Sequence, residues 1–286
     1  MTFSLFTSTA LVLGLLEAAP LVLAAIGFTL IFRLNGFTNV AYAENITLGA
    51  YFAVIFNSMF GWNFYAAIIP SALLSGLFSV LTYLVIFRPA FKRGVGKTEL
   101  IILSVGLSFF VRYGSRLIFG NDLFNFTFDN PSYLSAFGIG ITSIQITCIA
   151  LVVVISLGIY FFIYRTNYGE RMRALADNEN LAMISGINPT KVSILIWFIA
   201  GAAGGLAGVF YGAFSFVSPS LGYNLILIII MVTIVGGVGS VRGSLAASIG
   251  VGIITSAVTL LSKPLYGQVV LLILFIGILK LRKVRI

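Results

Sequence analysis

Few residues in this chain could do chemistry. Among its 286 residues there is no histidine and one cysteine, Cys148. A zinc site, a haem ligand or a Ser-His-Asp relay therefore has no parts here, and a disulfide within the chain is impossible. Cys148 lies in an apolar run and is expected to pack as a small residue. The charged residues in or near apolar stretches are Glu17, Glu44, Glu99, Arg112 and Arg116. Ionisable groups in such settings line solute paths, couple ions or sit at a membrane boundary. No span pairs two carboxylates at helical spacing, which argues against an intramembrane enzyme. The glycine-rich run Val235–Ser244 lacks the Gly-Lys-Ser/Thr ending of a phosphate loop and the spacing of a dinucleotide fingerprint. The chain is thus expected to have no ATP site, cofactor or metal of its own.

Four segments could carry function. Asn35–Ala50 mixes small, amide and acidic groups between two apolar stretches, and includes Asn39, Tyr42, Glu44, Asn45 and Gly49. It reads either as a cytoplasmic turn with a solvated Glu44 or as an interruption lining a transport path. Gly236 and Gly237 break a helix at the cytoplasmic face and join those path candidates. Arg165–Lys191 is the longest polar loop. Its residues 170–185 form one short amphipathic helix by pattern, with Met172, Leu175, Ala176, Met183 and Ile184 in an apolar stripe and Gly186 then Pro189 ending it. It is either a solvated connector or a docking element for a soluble partner. Gly201 and Gly205, with Gly204, Gly208 and Gly212, repeat at i, i+4 and suit close helix packing. Arg112 and Arg116 share one helix face, and either meet a cavity or partner or snorkel to the outer interface.

The elements that position these residues follow from composition. Hydrophobic residues make up 59% of the chain, charged residues 9%, and mean hydropathy is +1.10. Soluble domains carry about 25% charge. The expected class is all-α, a polytopic helical membrane protein with about eight or nine transmembrane segments. Runs such as Leu225–Val235 do not alternate, which excludes a β-barrel. The candidate spans are 10–32, 46–60, 64–87, 98–118, 141–164, 191–216, 224–240, 245–262 and 265–281. Met1–Phe32 has no Lys or Arg, so it reads as a first membrane segment rather than a cleavable leader.

Basic residues sort the loops. Arg33, Arg88, Lys92, Arg93, Lys97, Arg165, Arg171, Arg173, Lys191, Arg242, Lys280, Arg282, Lys283 and Arg285 fall on one side. The alternate loops, including Asn121–Gly140 with only Asp122 and Asp129, hold almost none. The positive-inside rule puts the basic side in the cytoplasm, the N-terminus outside and the C-terminus inside. The net charge of +9 is then an orientation signal with some attraction to anionic lipid, not a nucleic-acid patch.

At these segments the chain resembles the permease subunit of branched-chain amino acid ABC transporters, the LivH/LivM type. The likeness runs through Gly27-Phe-Thr-Leu-Ile, Asn39-Val-Ala-Tyr-Ala-Glu44 and Leu48-Gly49-Ala50-Tyr51. It continues through Phe87-Arg88-Pro89, Ser104-Val-Gly106-Leu-Ser108, the 169–188 loop, Gly201–Gly212 and Val235–Gly243. Tyr42-Ala43 stands where the family has His-Gly, and Val241-Arg242 where it has Ile-Pro. The resemblance implies one permease domain over 1–286 in a bacterial-type cytoplasmic membrane. It implies a second permease subunit, two cytoplasmic ATPases and an extracytoplasmic solute-binding protein as partners. It also implies that the loop at about 165–190 couples to the ATPase through Arg173, Ala174, Ala182, Gly186, Ile187 and Asn188. A urea or short-amide permease and an ATPase-independent secondary transporter are the alternative expectations.

Overall fold

The computed structural model describes residues 3–128, 133–136, 139–237, 239–261 and 264–281. Asp129, Val238 and the tail residues Arg282, Lys283 and Arg285 lie outside them. In chain order come α1 (Phe3–Asn35), α2 (Tyr42–Val54), α3 (Phe64–Thr82), α4 (Arg88–Lys92) and α5 (Lys97–Phe119). Then follow α6 (Ser143–Arg165), α7 (Asn167–Asp177), α8 (Glu179–Ile184) and α9 (Pro189–Phe214). The last are α10 (Leu221–Gly236), α11 (Val241–Leu261) and α12 (Pro264–Leu281). A π-helical turn, Ile55–Met59, extends α2, and another, Tyr83–Phe87, fuses α3 to α4 as one rod.

The protein is a polytopic helical membrane protein. Among the described residues, six helices are long and apolar enough to cross a hydrocarbon core: α1, the α3–α4 rod, α5, α6, α9 and α11. α2 with its π turn, α10 and the 18-residue α12 are further apolar helices, in rough agreement with the eight or nine segments expected. The polarity of a soluble fold is inverted. Leu117 is 89% exposed and Phe110 78%, while Glu44 and Arg112 are buried. Lipid solvates exposed apolar side chains, so only close packing and polar contacts hold the helices together.

Two helices form the central pillars. In α1 and α9, 72% of the spanning window is buried, against 22% in α5 and α11. Pro20 sits inside α1, because that helix begins at Phe3 rather than near residue 10. α2 is wedged between α3, α9 and α10, and all but two of its residues are buried. Its C-terminal end is tied to the loop after α5. The Asn57 amide donates to the Trp62 and Thr127 carbonyls at 2.8 and 3.1 Å, and accepts from Thr127 N and Oγ1 at 2.8 and 3.1 Å. Tyr51 stacks on Phe119 there, with ring centroids 4.2 Å apart.

The loop between α5 and α6 adds a small β element that helical periodicity does not predict. β1 (Tyr133–Ala136) pairs antiparallel with β2 (Ile139–Thr142), Tyr133 opposite Thr142. Thr142 then starts α6 through a reciprocal capping box with Gln145.

Candidate functional site

The site begins with α2 entering the bundle. Gly36, at φ 69°, turns the chain after α1, and Phe37, Asn39 and Ala41 are buried. Irregular backbone is therefore confined to residues 36–41, and the rest of the mixed segment is helix from Tyr42 onward. The loop is held by α5, where Ser104 Oγ accepts from Val40 N at 3.0 Å.

Glu44 follows, in the first turn of α2 and 1% exposed. Its Oε1 accepts from Ser108 Oγ at 2.7 Å and from Arg112 at 3.4 Å. The same Arg112 nitrogen donates to Ser108 Oγ at 3.0 Å. The guanidinium lies over the Tyr223 ring from α10, 3.5 Å from its centroid. Glu44 Oε2 and Arg112 Nε have no hydrogen-bond partner among the described residues. So Glu44 is not a solvated turn residue and Arg112 does not snorkel: each is buried against the other. Arg116, one turn on, reaches Ser220 Oγ at 3.0 Å, and so also faces a partner.

The inward face of α5 is a polar stripe of Ser104, Ser108, Arg112 and Ser115, all buried. Sequence reasoning singled out the arginine as a candidate, whereas Ser104 and Ser108 entered only through a family motif and Ser115 not at all. The signal was present as small hydroxyls at i, i+4 leading to a charged residue. Thr47 on α2 extends the seam by accepting from Gly222 N of α10 at 3.0 Å. A second buried polar group, Thr29 with Ser244 at 2.7 Å and Thr233 at 3.4 Å, joins α1 to α11 and α10 and was also missed.

The other path candidates separate onto different surfaces. Tyr42 points toward α9, its hydroxyl donating to the Ala200 carbonyl at 3.3 Å. Asn45 is buried, its carbonyl taking the Ser75 hydroxyl at 2.9 Å and its Oδ1 without a partner among the described residues. The Asn39 Oδ1 is likewise buried and unpartnered. Gly49 presses on the Gly205 backbone. Gly236 and Gly237 are not on this seam: Gly236 packs on the Gly243 backbone, and Gly237, at φ 98°, ends α10. The α9 glycines sit at close approaches. A Cβ at Gly201 or Gly205 would run into α3 at Ser79 or Ser75, and one at Gly208 into the Ile46 carbonyl. A Cβ at Gly204 would meet the Tyr42 ring at 2.9 Å, and one at Gly212 would meet Val217 at 2.5 Å.

The polar loop is not one helix but two. α7 stops at Asp177, and Asn178 caps α8 by accepting from Leu181 N at 3.0 Å. The expected stripe is therefore divided: Met172 and Leu175 are buried, whereas Met183 and Ile184 are 46% and 85% exposed. Arg173 donates to the Ile163 carbonyl at the end of α6. Ala182 is buried and Ala174 half-buried. Gly186, at φ 83°, closes α8 by donating to Met183 O at 3.0 Å, while Ile187 N reaches Ala182 O at 3.0 Å. Asn188 then caps α9 through Lys191 N at 3.2 Å, with Pro189 in the first turn. Among the described residues no group of His, Cys, Asp and Glu could hold a metal ion.

Comparison with known proteins agrees with this architecture. The family model described as "Branched-chain amino acid transport system / permease component" matches residues 10–279. The chain is 28% identical to the probable branched-chain amino acid transport permease protein LivH of Methanocaldococcus jannaschii, covering 91% of this chain and 85% of that one. It is 25% identical to the high-affinity branched-chain amino acid transport system permease protein BraD of Pseudomonas aeruginosa, over 85% of this chain and 83% of that one. It is 26% identical to LivH of Escherichia coli K12, over 84% and 82%. No solved structure matches the chain.

Proposed function

The chain belongs to the family of branched-chain amino acid transport permeases, and on that premise we propose that it is the membrane subunit of an ABC importer for branched-chain or related amino acids. The observation that carries the reading is the family match over residues 10–279, which runs from α1 into α12. The whole chain, 1–286, is one permease domain. It works with a second permease subunit, two cytoplasmic ATPases and an extracytoplasmic binding protein in a bacterial-type cytoplasmic membrane. Its N-terminus faces outward and its C-terminus the cytoplasm, as the distribution of basic residues supports.

Energy enters through α7 and α8. Leu181, Met183 and Ile184, at 63%, 46% and 85% exposure, suit an apolar groove on an ATPase. Arg173, Ala174 and Ala182 hold the element against the bundle, and Gly186, Ile187 and Asn188 form the rigid joint into α9. A push on α8 therefore reaches α9, and α9 is packed on α2 through Gly204 and Gly208. The ATPases bias this equilibrium only by binding its two states unequally. Solute passes beside α2 along the face of Glu44 that meets α5.

The test is uptake of labelled leucine by cells expressing the complete set of subunits. Uptake is expected to vanish when the ATPase phosphate loops are inactivated. Uptake that persists without ATPase and collapses with a protonophore would replace this reading with a secondary transporter.

A further inference from the structure

The Glu44–Arg112 pair is an unusual way to pin two helices. A buried pair that only stabilises a fold is expected to be bidentate, with its remaining polar atoms satisfied. This one has a single long contact at 3.4 Å. One acceptor atom, Glu44 Oε2, and one donor atom, Arg112 Nε, are left buried and unpartnered on the two members of the pair. The spare capacity has opposite signs on adjoining groups.

We infer that Glu44 and Arg112 recognise the zwitterionic head of the transported amino acid, Arg112 taking its carboxylate and Glu44 its ammonium; this rests on the importer reading above. An α-amino acid carries both charges on one carbon. Either protein charge alone would attract one end of the solute and repel the other. Together they accept both ends, and the site stays net neutral with the solute bound or absent. With no solute the two groups close on each other through Ser108. The seam is then sealed without leaving an uncompensated charge in the membrane.

The surroundings suit an exchange of partners. Tyr223 covers one face of the guanidinium and leaves its N–H edge to bind. The buried face of α5 beside Glu44 is polar, Ser104, Ser108, Arg112 and Ser115 with Leu100, while Phe119 stacks on Tyr51 at its far end.

The test measures thermal stabilisation of the purified full-length chain by three probes. These are leucine, 3-methylbutylamine (ammonium only) and 4-methyl-2-oxopentanoate (carboxylate only). Wild type is expected to respond to leucine at concentrations at least about tenfold below either analogue, the scale of one lost charge-assisted hydrogen bond. Glu44→Gln leaves a net positive site and shifts preference toward the oxo acid. Arg112→Gln leaves a net negative one and shifts it toward the amine. Equal weakening of all three probes in both variants would reduce the pair to a structural pin and overturn the proposal. So would a wild type that responds to none of them. Should either variant fail to fold, Arg112→Lys and Ser108→Ala serve instead, and both are expected to weaken the leucine response selectively. Leucine uptake by the complete importer is measured alongside: if it persists while the chain ignores leucine, the importer reading stands and this site falls. If uptake is absent while the leucine response remains, the reverse holds.

Discussion

Glycine does the closest work at the level of single residues. In lipid, helices gain nothing by hiding apolar surface, so they approach only where side chains permit it. Gly208 of α9 lies directly on the Ile46 carbonyl of α2, and a Cβ would occupy that position. Gly208→Ala is expected to lower stability by about 1–3 kcal/mol, the range for forcing extra atoms into a packed interior. A fall in the melting temperature of the purified chain checks this. The contrasting control is Gly106→Ala on α5, where a Cβ meets nothing within 4 Å. The i, i+4 repeat of these glycines was legible in the sequence, because it is local. The partners were not, since Ile46 and Gly208 are far apart in the chain and only folding joins them.

Elements behave differently from their hydrophobic pattern in one instructive case. Residues 170–185 read as a single amphipathic helix, yet Asn178 divides them. Its side chain caps α8, and its own extended backbone, at φ −156°, cannot continue α7. A capping amide competes with the helix it interrupts, a signal that a stripe of apolar residues hides. The break matters because it leaves α8 free to present its apolar face outward. Replacing Leu181 and Ile184 by Asp is expected to abolish ATPase capture and uptake while the melting temperature changes little, since both side chains are exposed. Unchanged uptake in that double variant would remove α8 from the coupling assignment.

The whole molecule is read most easily from its charges. Fourteen of the seventeen Lys and Arg residues segregate to alternate loops. Single cysteines at Ser58 and Asn178 should report opposite sides of the membrane. A membrane-impermeant maleimide added to intact cells is expected to label the first and not the second, with the reverse in inverted vesicles. The native Cys148, 1% exposed, should contribute little background. Labelling of both from one side would overturn the proposed orientation.

The amino-acid sequence alone determined the solvent of this protein, its helical class, the rough number of spans and the family resemblance. Each is a property of composition, short-range periodicity or motif order, which survives without knowing what touches what. It also marked Glu44, Arg112 and the loop near 165–190 as places of interest. Only the tertiary structure decided that Glu44 and Arg112 face each other, that Ser108 bridges them, and that Tyr42 and Gly49 turn toward α9 instead. The reason is physical. A charge in an apolar segment can be relieved by water at a boundary, by snorkelling or by a distant counter-charge, and all three leave the same local pattern. The helix packing selects among them, and here it placed α5 against α2.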